Sequence, residues 1–302
     1  MVLSAQLFRR VAFTTAFFAY LQIALGGVVR VTGSGLGCPD WPLCHGRPYP
    51  AADIHSVIEY SHRTVGSVTE LLITATVILA WVVWRTRRPA VAWLATAALV
   101  AGLSEALLGA GVVVNELASW LVLIHLGLAM IILGLLLASA VMSLPSSTGV
   151  PSLRRSTALA AGATYVLLLT GSTVVASNAD SGCHSWPLCG GGFALDLSGA
   201  NAFTMLHRGA VLLIGALIVY VAINALRRPA LRLMAIATLI VLALQVALGA
   251  GAAITDAAFF NGLHVAAATL VWAGMLAMAL LTQPRADRVP ALSRLAVEKG
   301  SA

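Results

Sequence analysis

Eight long apolar runs divide the chain, at about residues 11–29, 58–84, 91–113, 117–142, 157–177, 201–225, 231–253 and 258–281. Short polar or Gly- and Pro-bearing stretches separate them. Each run is near the ~20 residues an α-helix needs to cross the hydrocarbon core of a bilayer. None carries a polar stripe at helical spacing that could face water, which excludes a large soluble protein with buried helices. In lipid the backbone must satisfy its own hydrogen bonds, so each run is predicted to be helical. The pattern predicts an all-α integral membrane protein with eight transmembrane helices.

Composition supports the same class: 60% of the residues are hydrophobic and 10% charged, against about 25% charged in soluble domains. The charge layout adds a direction. Arg9, Arg10, Arg85, Arg87, Arg88, Arg154, Arg155, Arg227, Arg228, Arg232, Arg285, Arg288, Arg294 and Lys299 fall on one side of the eight-span map, 14 of the 18 Lys and Arg. Only Arg30, Arg47, Arg63 and Arg208 fall at or near the other. The positive-inside rule then places both termini and the even-numbered connections in the cytoplasm. The net charge of +7 is a topology signal; no basic stripe interleaved with aromatics points to nucleic acid. Arg9-Arg10 before an apolar stretch also fits a cleaved signal peptide, but the stretch is long and has a partner later in the chain.

That partner belongs to an internal duplication. Cys38-Pro-Asp-Trp-Pro-Leu-Cys44 and Cys183-His-Ser-Trp-Pro-Leu-Cys189 share the pattern C-x-x-W-P-L-C, 145 residues apart. His62-Arg63 recurs as His207-Arg208 at the same offset. Leu108-Gly-Ala-Gly111 recurs as Leu248-Gly-Ala-Gly251, and His125 matches His264, 139 residues on. With four spans each, both halves have one orientation. The expected architecture is two pseudo-symmetric antiparallel four-helix bundles side by side: an N-terminal half, 1–145, a C-terminal half, 156–283, and a cytoplasmic tail, 284–302.

All four cysteines are expected in extracytoplasmic loops, an oxidising compartment in bacteria. Disulfides Cys38–Cys44 and Cys183–Cys189 are the simplest pairing. A thiol redox role stays open, as does zinc with His45 and His184, although no familiar zinc spacing appears. His45, His55 and His184 are expected in loops, solvated. The other four, His62, His125, His207 and His264, lie one on each even-numbered helix, 5–8 residues inside its outer end, about 8–12 Å deep at 1.5 Å per residue. Intramembrane histidines need partners and mark functional sites. Two of them facing each other across a four-helix bundle can ligate one haem iron from both sides. A bare metal would recruit carboxylates or thiolates as well. Gly26, Gly27, Gly109, Gly111, Gly171, Gly249 and Gly251, on odd-numbered helices, serve either to admit a flat porphyrin or to let helices pack closely. Arg63 and Arg208, each following a candidate ligand on the outer side, suit either haem propionates or lipid phosphates.

The halves differ in their acids. Glu59 precedes His62 by three residues and shares its helix face; Thr204 stands at the matching place before His207. A carboxyl there can move protons or stabilise positive charge, or merely favour a helix N-terminus. Glu105 and Gln245 form a second contrast, four residues before Gly109 and Gly249. With Glu70 they are deep in the bilayer, placed to hold a ligand histidine by hydrogen bond or to relay protons.

The stretch Arg30-Val-Thr-Gly-Ser-Gly-Leu-Gly-Cys-Pro-Asp-Trp-Pro-Leu-Cys44, with Glu59-Tyr-Ser-His62-Arg63, resembles the haem A synthase family, as do the eight spans and the duplicated histidines, over about residues 8–283. The resemblance implies oxidation of the C8 methyl of haem O to the formyl of haem A, through hydroxylated intermediates, for terminal oxidases. It implies that His62 and His125 hold the substrate haem, that His207 and His264 hold a haem b cofactor, and that Glu59 is the catalytic carboxyl. Haem O synthase is the implied supplier, and an electron partner, quinone among the candidates, is required. The implied location is the bacterial cell membrane. Two other functions fit four histidines: a di-haem cytochrome for quinone-linked electron transfer, and a haem transporter or chaperone.

Overall fold

A computed structural model of the chain describes residues 2–177, 179, 183–191, 194–255 and 257–287. Eight α-helices account for most of them: α1 (Val2–Val31), α2 (Ile54–Trp84), α3 (Pro89–Val114), α4 (Ser119–Met142), α5 (Arg154–Ala176), α6 (Asn201–Leu226), α7 (Pro229–Thr255) and α8 (Ala258–Leu281). All eight are long and apolar enough to cross a membrane. One 3-10 turn, Pro151–Leu153, leads into α5.

Local chemistry sets where the helices begin. Pro89 and Pro229 are the first residues of α3 and α7, where a missing N–H costs nothing and φ is already helical. Asp53 caps α2 by accepting the Ser56 N–H at 3.0 Å, so α2 starts four residues before the apolar run does. His55, expected in a loop, therefore lies in the first turn of α2. α1 likewise runs back past Arg9 and Arg10 to Val2.

Helices α1–α4 pack as a ring, α1 on α2, α2 on α3, α3 on α4 and α4 back on α1; α5–α8 do the same. α2 and α4 thus stand diagonally opposed, as do α6 and α8. The rings meet where α8 packs on α1 and α4, and α5 on α4. Exchanging the two sets of four leaves this list of packed pairs unchanged.

The core falls into three clusters. Phe8, Ala12, Trp84, Val91 and Ala95 join α1–α3 at the arginine-bearing end. Ile218, Leu231, Met275 and Met278 join α6–α8. The third lies inside α1–α4 and includes Ile73, Met130 and Leu136, together with Trp272 from α8. Gly134 on α4 admits Trp272: a Cβ there would lie 2.9 Å from the indole Cη2. Tyr165 of α5 flanks that ring at 6.0 Å and donates to the Gly127 carbonyl at 3.1 Å. Small residues at such crossings let membrane helices approach closely.

At the arginine end the α4–α5 connection is clasped by the stretch after α8. Ser147 and Arg285 exchange backbone hydrogen bonds of 2.8 and 2.7 Å. The Arg88 guanidinium, only 8% exposed, donates to Asp287 at 2.6 Å, to the Met142 carbonyl at 2.9 Å and to Ser146 at 3.1 Å. Gly149 (φ +73°) passes so close to Thr282 that a side chain would collide with its carbonyl. The stretch expected as a cytoplasmic tail is thus held at its start, because a buried guanidinium requires acceptors. The rest of that expected tail, 288–302, with Arg288, Arg294 and Lys299, lies outside the described residues.

Candidate functional site: four histidines on four glycines

The loops that close the opposite end each hold a disulfide, Cys38–Cys44 and Cys183–Cys189, and no free cysteine remains among the described residues. With the sulfurs paired, neither loop has a thiolate to offer zinc. The first loop is held by its polar residues. Asp40 accepts the N–H groups of His45 (2.6 Å) and Gly46 (2.7 Å). The Gly46 N–H above all holds the Asp40 carboxyl below the usual aspartate range. His45 Nε2 meets the Gly37 carbonyl at 2.9 Å and His55 Nδ1 meets Ser34 Oγ at 3.0 Å. Both histidines, expected to be merely solvated, are loop tethers.

Glu59 and Arg63 secure the same loop from below. Buried Glu59 accepts the Cys38 N–H at 2.8 Å and pairs with Arg63. Arg63 also donates to the carbonyls of Asp40 (2.6 Å), Leu43 (2.7 Å) and Cys38 (2.7 Å). These bonds use the four N–H groups of its two terminal nitrogens and leave Nε–H as its unused donor among the described residues. Among the described residues Arg208 has fewer partners. Its Nη1 donates to Ser185 (2.8 Å) and Pro187 (3.0 Å), and Thr204, in the place of Glu59, bonds the Ala179 carbonyl at 3.2 Å.

Beneath the loops lie the four histidines. His62 is eight residues into α2; His125, His207 and His264 are each six residues into α4, α6 and α8. That is roughly 12 and 9 Å from the helix ends at 1.5 Å per residue. They sit on the diagonal helices of each ring, and His62 and His125 are within electrostatic reach of each other, as are His207 and His264.

Each imidazole rests on a glycine of the preceding helix. A Cβ on Gly26 would lie 3.2 Å from His62 Nε2, on Gly109 3.2 Å from His125 Cε1, on Gly171 3.1 Å from His207 Cε1, and on Gly249 2.7 Å from His264 Cε1. The odd-helix glycines therefore divide by role. These four make room for a ring, Gly27 meets Val265 across the junction of the two sets, Gly251 meets Phe260, and Gly111 faces open space.

Each imidazole also has a polar neighbour on the preceding helix. Gln22 Nε2 lies 3.0 Å from His62 Nε2, Glu105 Oε1 3.0 Å from His125 Nδ1, Thr170 Oγ1 2.9 Å from His207 Nδ1, and Gln245 Nε2 3.2 Å from His264 Nε2. The Glu105–His125 contact has hydrogen-bond length without hydrogen-bond alignment, and Glu105 Oε2 and His125 Nδ1 both lack an aligned partner. Glu105 and Gln245 were legible as histidine partners; Gln22 and Thr170 were missed. Gln22 precedes Gly26 by the same four residues that separate Glu105 from Gly109 and Gln245 from Gly249, a signal present in the sequence. Thr170, adjacent to Gly171, has no such signal.

This donor set suits a haem better than a bare ion. No cluster of three or more His, Cys, Asp or Glu able to hold a metal ion occurs among the described residues. Two imidazoles per ring are the number that would hold one haem iron. Partners that fix the ring orientation of a ligating histidine are the usual company of such ligands.

Known proteins match this chain at two scales. The family model COX15-CtaA, described as cytochrome oxidase assembly protein, matches residues 9–276. Curated relatives match over shorter stretches. A heme A synthase of Bacillus pumilus (strain SAFR-032) is 42% identical over 74 residues, 24% of this chain and 24% of that protein. A heme A synthase of Bacillus licheniformis is 45% identical over 65 residues, 21% of this chain and 22% of that protein. A protoheme IX farnesyltransferase of Halobacterium salinarum (strain R1) is 29% identical over 89 residues, 30% of this chain and 19% of that protein. The chain thus spans about a quarter or less of the length of these relatives.

Proposed function

The chain belongs to the COX15-CtaA family of cytochrome oxidase assembly proteins, and on that footing we propose that it is a haem A synthase. The reaction is oxidation of the C8 methyl of haem O to a formyl group, through hydroxylated intermediates, giving haem A for terminal oxidases. Two named relatives support it, both heme A synthases. The observation that carries it is the set of four glycine-backed imidazoles, two per ring, with acids on one side only: Glu59 against Thr204 and Glu105 against Gln245.

In this reading residues 1–145 form the substrate half, where His62 and His125 hold haem O. Residues 156–283 form the cofactor half, where His207 and His264 hold haem b. Haem b, when bound, supplies reversible one-electron transfer. The residues around the substrate have distinct tasks. Glu59 fixes the Cys38 loop over the first ring and sets a carboxylate one turn from His62, where it stabilises positive charge. Arg63 offers Nε–H, and Arg208 its guanidinium, to propionates. Gln22 and Glu105 orient the two imidazoles. The disulfide loops exclude water from above. The enzyme lies in the bacterial plasma membrane with both termini cytoplasmic. It takes haem O from the haem O synthase and exchanges electrons with a partner such as quinone. Similarity to a protein named for protoheme IX farnesyl transfer is consistent with that supplier.

The test is extraction and mass analysis of the haems bound when each histidine pair is replaced. His62→Ala with His125→Ala is expected to abolish bound haem O and haem A while haem b stays. His207→Ala with His264→Ala is expected to lose haem b. Haem b alone at both pairs, with haem O supplied and no oxidised product, identifies an electron-transfer cytochrome instead.

A further inference from the structure

Among the described residues, His125 is the only one of the four intramembrane histidines with a carboxylate against its ring nitrogen. Glu105 Oε1 lies 3.0 Å from His125 Nδ1, and the pair is 15% and 27% exposed. At the matching place beside His264 the neighbour is the amide of Gln245; beside His62 it is the amide of Gln22, and beside His207 the hydroxyl of Thr170. The scaffold is the same at each site, a glycine under the imidazole and a polar group on the preceding helix. The group differs in charge and in the nitrogen it meets: Glu105 and Thr170 face Nδ1 of their histidines, Gln22 and Gln245 face Nε2.

We propose that Glu105 is a positioning residue that makes His125 the strongest electron donor of the four, and so holds a haem on the His62–His125 pair at a lower reduction potential than one on the His207–His264 pair. This rests on reading the two pairs as haem ligands. With Nδ1 facing the carboxylate, Nε2 of His125 is the nitrogen left for iron. A carboxylate 3.0 Å from the far nitrogen favours positive charge on the ring and so makes the ligating nitrogen a stronger donor. A more basic axial ligand favours ferric over ferrous iron, and hydrogen bonding to that ligand is among the protein's levers on haem potential. The two side chains are only 27% and 15% exposed, so the contact is screened less than it would be in water.

Reciprocal exchange tests this. Full-length protein carrying both haems is titrated by visible and EPR spectroscopy as wild type, E105Q and Q245E, the couples being assigned with the histidine-pair variants. E105Q is expected to shift the reduced-to-oxidised ratio of the first-pair haem about tenfold toward reduced at fixed poise, roughly 59 mV for a one-electron couple, leaving the other haem unmoved. Q245E is expected to move the second-pair haem the opposite way, and Glu105→Asp to restore part of the wild-type value. Both haems bound and both couples unmoved in E105Q overturns the inference while leaving the haem-ligand reading intact. Wild-type protein that binds no haem through these histidines overturns both. If E105Q fails to fold, Q245E decides: an unmoved second couple overturns the inference.

Discussion

Glu59 and Arg63 grip one residue, Cys38, from both sides: the carboxylate accepts its N–H at 2.8 Å and the guanidinium donates to its carbonyl at 2.7 Å. The two are one turn apart on α2 and paired with each other. A loop otherwise closed by a disulfide between cysteines six positions apart is thereby attached to the helix that carries His62.

Removing the carboxylate should therefore be felt twice. Glu59→Ala leaves Arg63 without its anion and a buried N–H without an acceptor, a loss of about 3 kcal/mol. Glu59→Gln keeps an acceptor for Cys38 and should cost roughly 1 kcal/mol. Both should retain bound haem, and both should lower haem A yield at least tenfold. Thermal melting in detergent and haem extraction measure the two effects separately. Normal haem A yield in the Gln variant would take the carboxylate out of the chemistry and leave it as a loop anchor.

The glycines under the imidazoles differ in tolerance. A methyl group at Gly249 would lie 2.7 Å from His264, whereas Gly26 and Gly109 leave 3.2 Å to their rings. Gly249→Ala should lower haem retention on the second pair on the order of tenfold. Gly26→Ala should lower that on the first pair much less. Gly111→Ala, with nothing within 4 Å, is the control. Haem per protein after gel filtration reads all three.

Glu70 and Gly102 make a second tight fit, between α2 and α3. The Glu70 carboxylate occupies the space that a side chain at Gly102 would need, and its Oε1 is buried without a partner among the described residues. Gly102→Ala should destabilise by roughly 1 kcal/mol, because the Glu70 carboxylate must swing aside. Glu70→Ala combined with it should recover most of that. Strict additivity of the two changes in a double-mutant cycle would show that they do not touch.

The first loop should loosen in acid. The Asp40 pKa is lowered in the folded protein by the N–H groups it accepts, so its contribution is present above the unfolded value near 3.8 and is lost as pH falls through the folded one. Hydrogen exchange of residues 38–48, corrected for intrinsic rates, should show less protection near pH 3 than near pH 6. Asp40→Asn should remove most of that difference. Equal pH dependence in the variant would assign the effect to another group.

The sequence made some of this legible and hid the rest for identifiable reasons. Eight helices were readable because lipid leaves an apolar run no other structure. The histidine depths followed from counting residues, and Glu105 and Gln245 from the repeat. Helix ends were less readable: α2 begins at Ile54 because Asp53 caps it, a polar start that an apolar count passes over. Arg63 was weighed between propionate and lipid phosphate, but most of its donors go to backbone carbonyls. No spacing rule reveals where a loop's carbonyls turn. Gln22 stayed hidden because its counterpart 145 residues on is Leu167, so comparing the repeats drew attention away from it.

The seat of Trp272 against Gly134 has a consequence for self-association. By the spacing that relates His125 to His264, Trp272 corresponds to Leu133 and Gly134 to Ala273. A homodimer of the first four helices would set Leu133, smaller than an indole, against the Gly134 notch and leave a void. A homodimer of the last four would press Trp272 against Ala273, whose methyl fills the place that the glycine leaves open to the ring. Each set of four therefore fits its neighbour in the chain better than it fits a copy of itself, and this bias favours the intramolecular pair over mismatched assemblies in a crowded membrane.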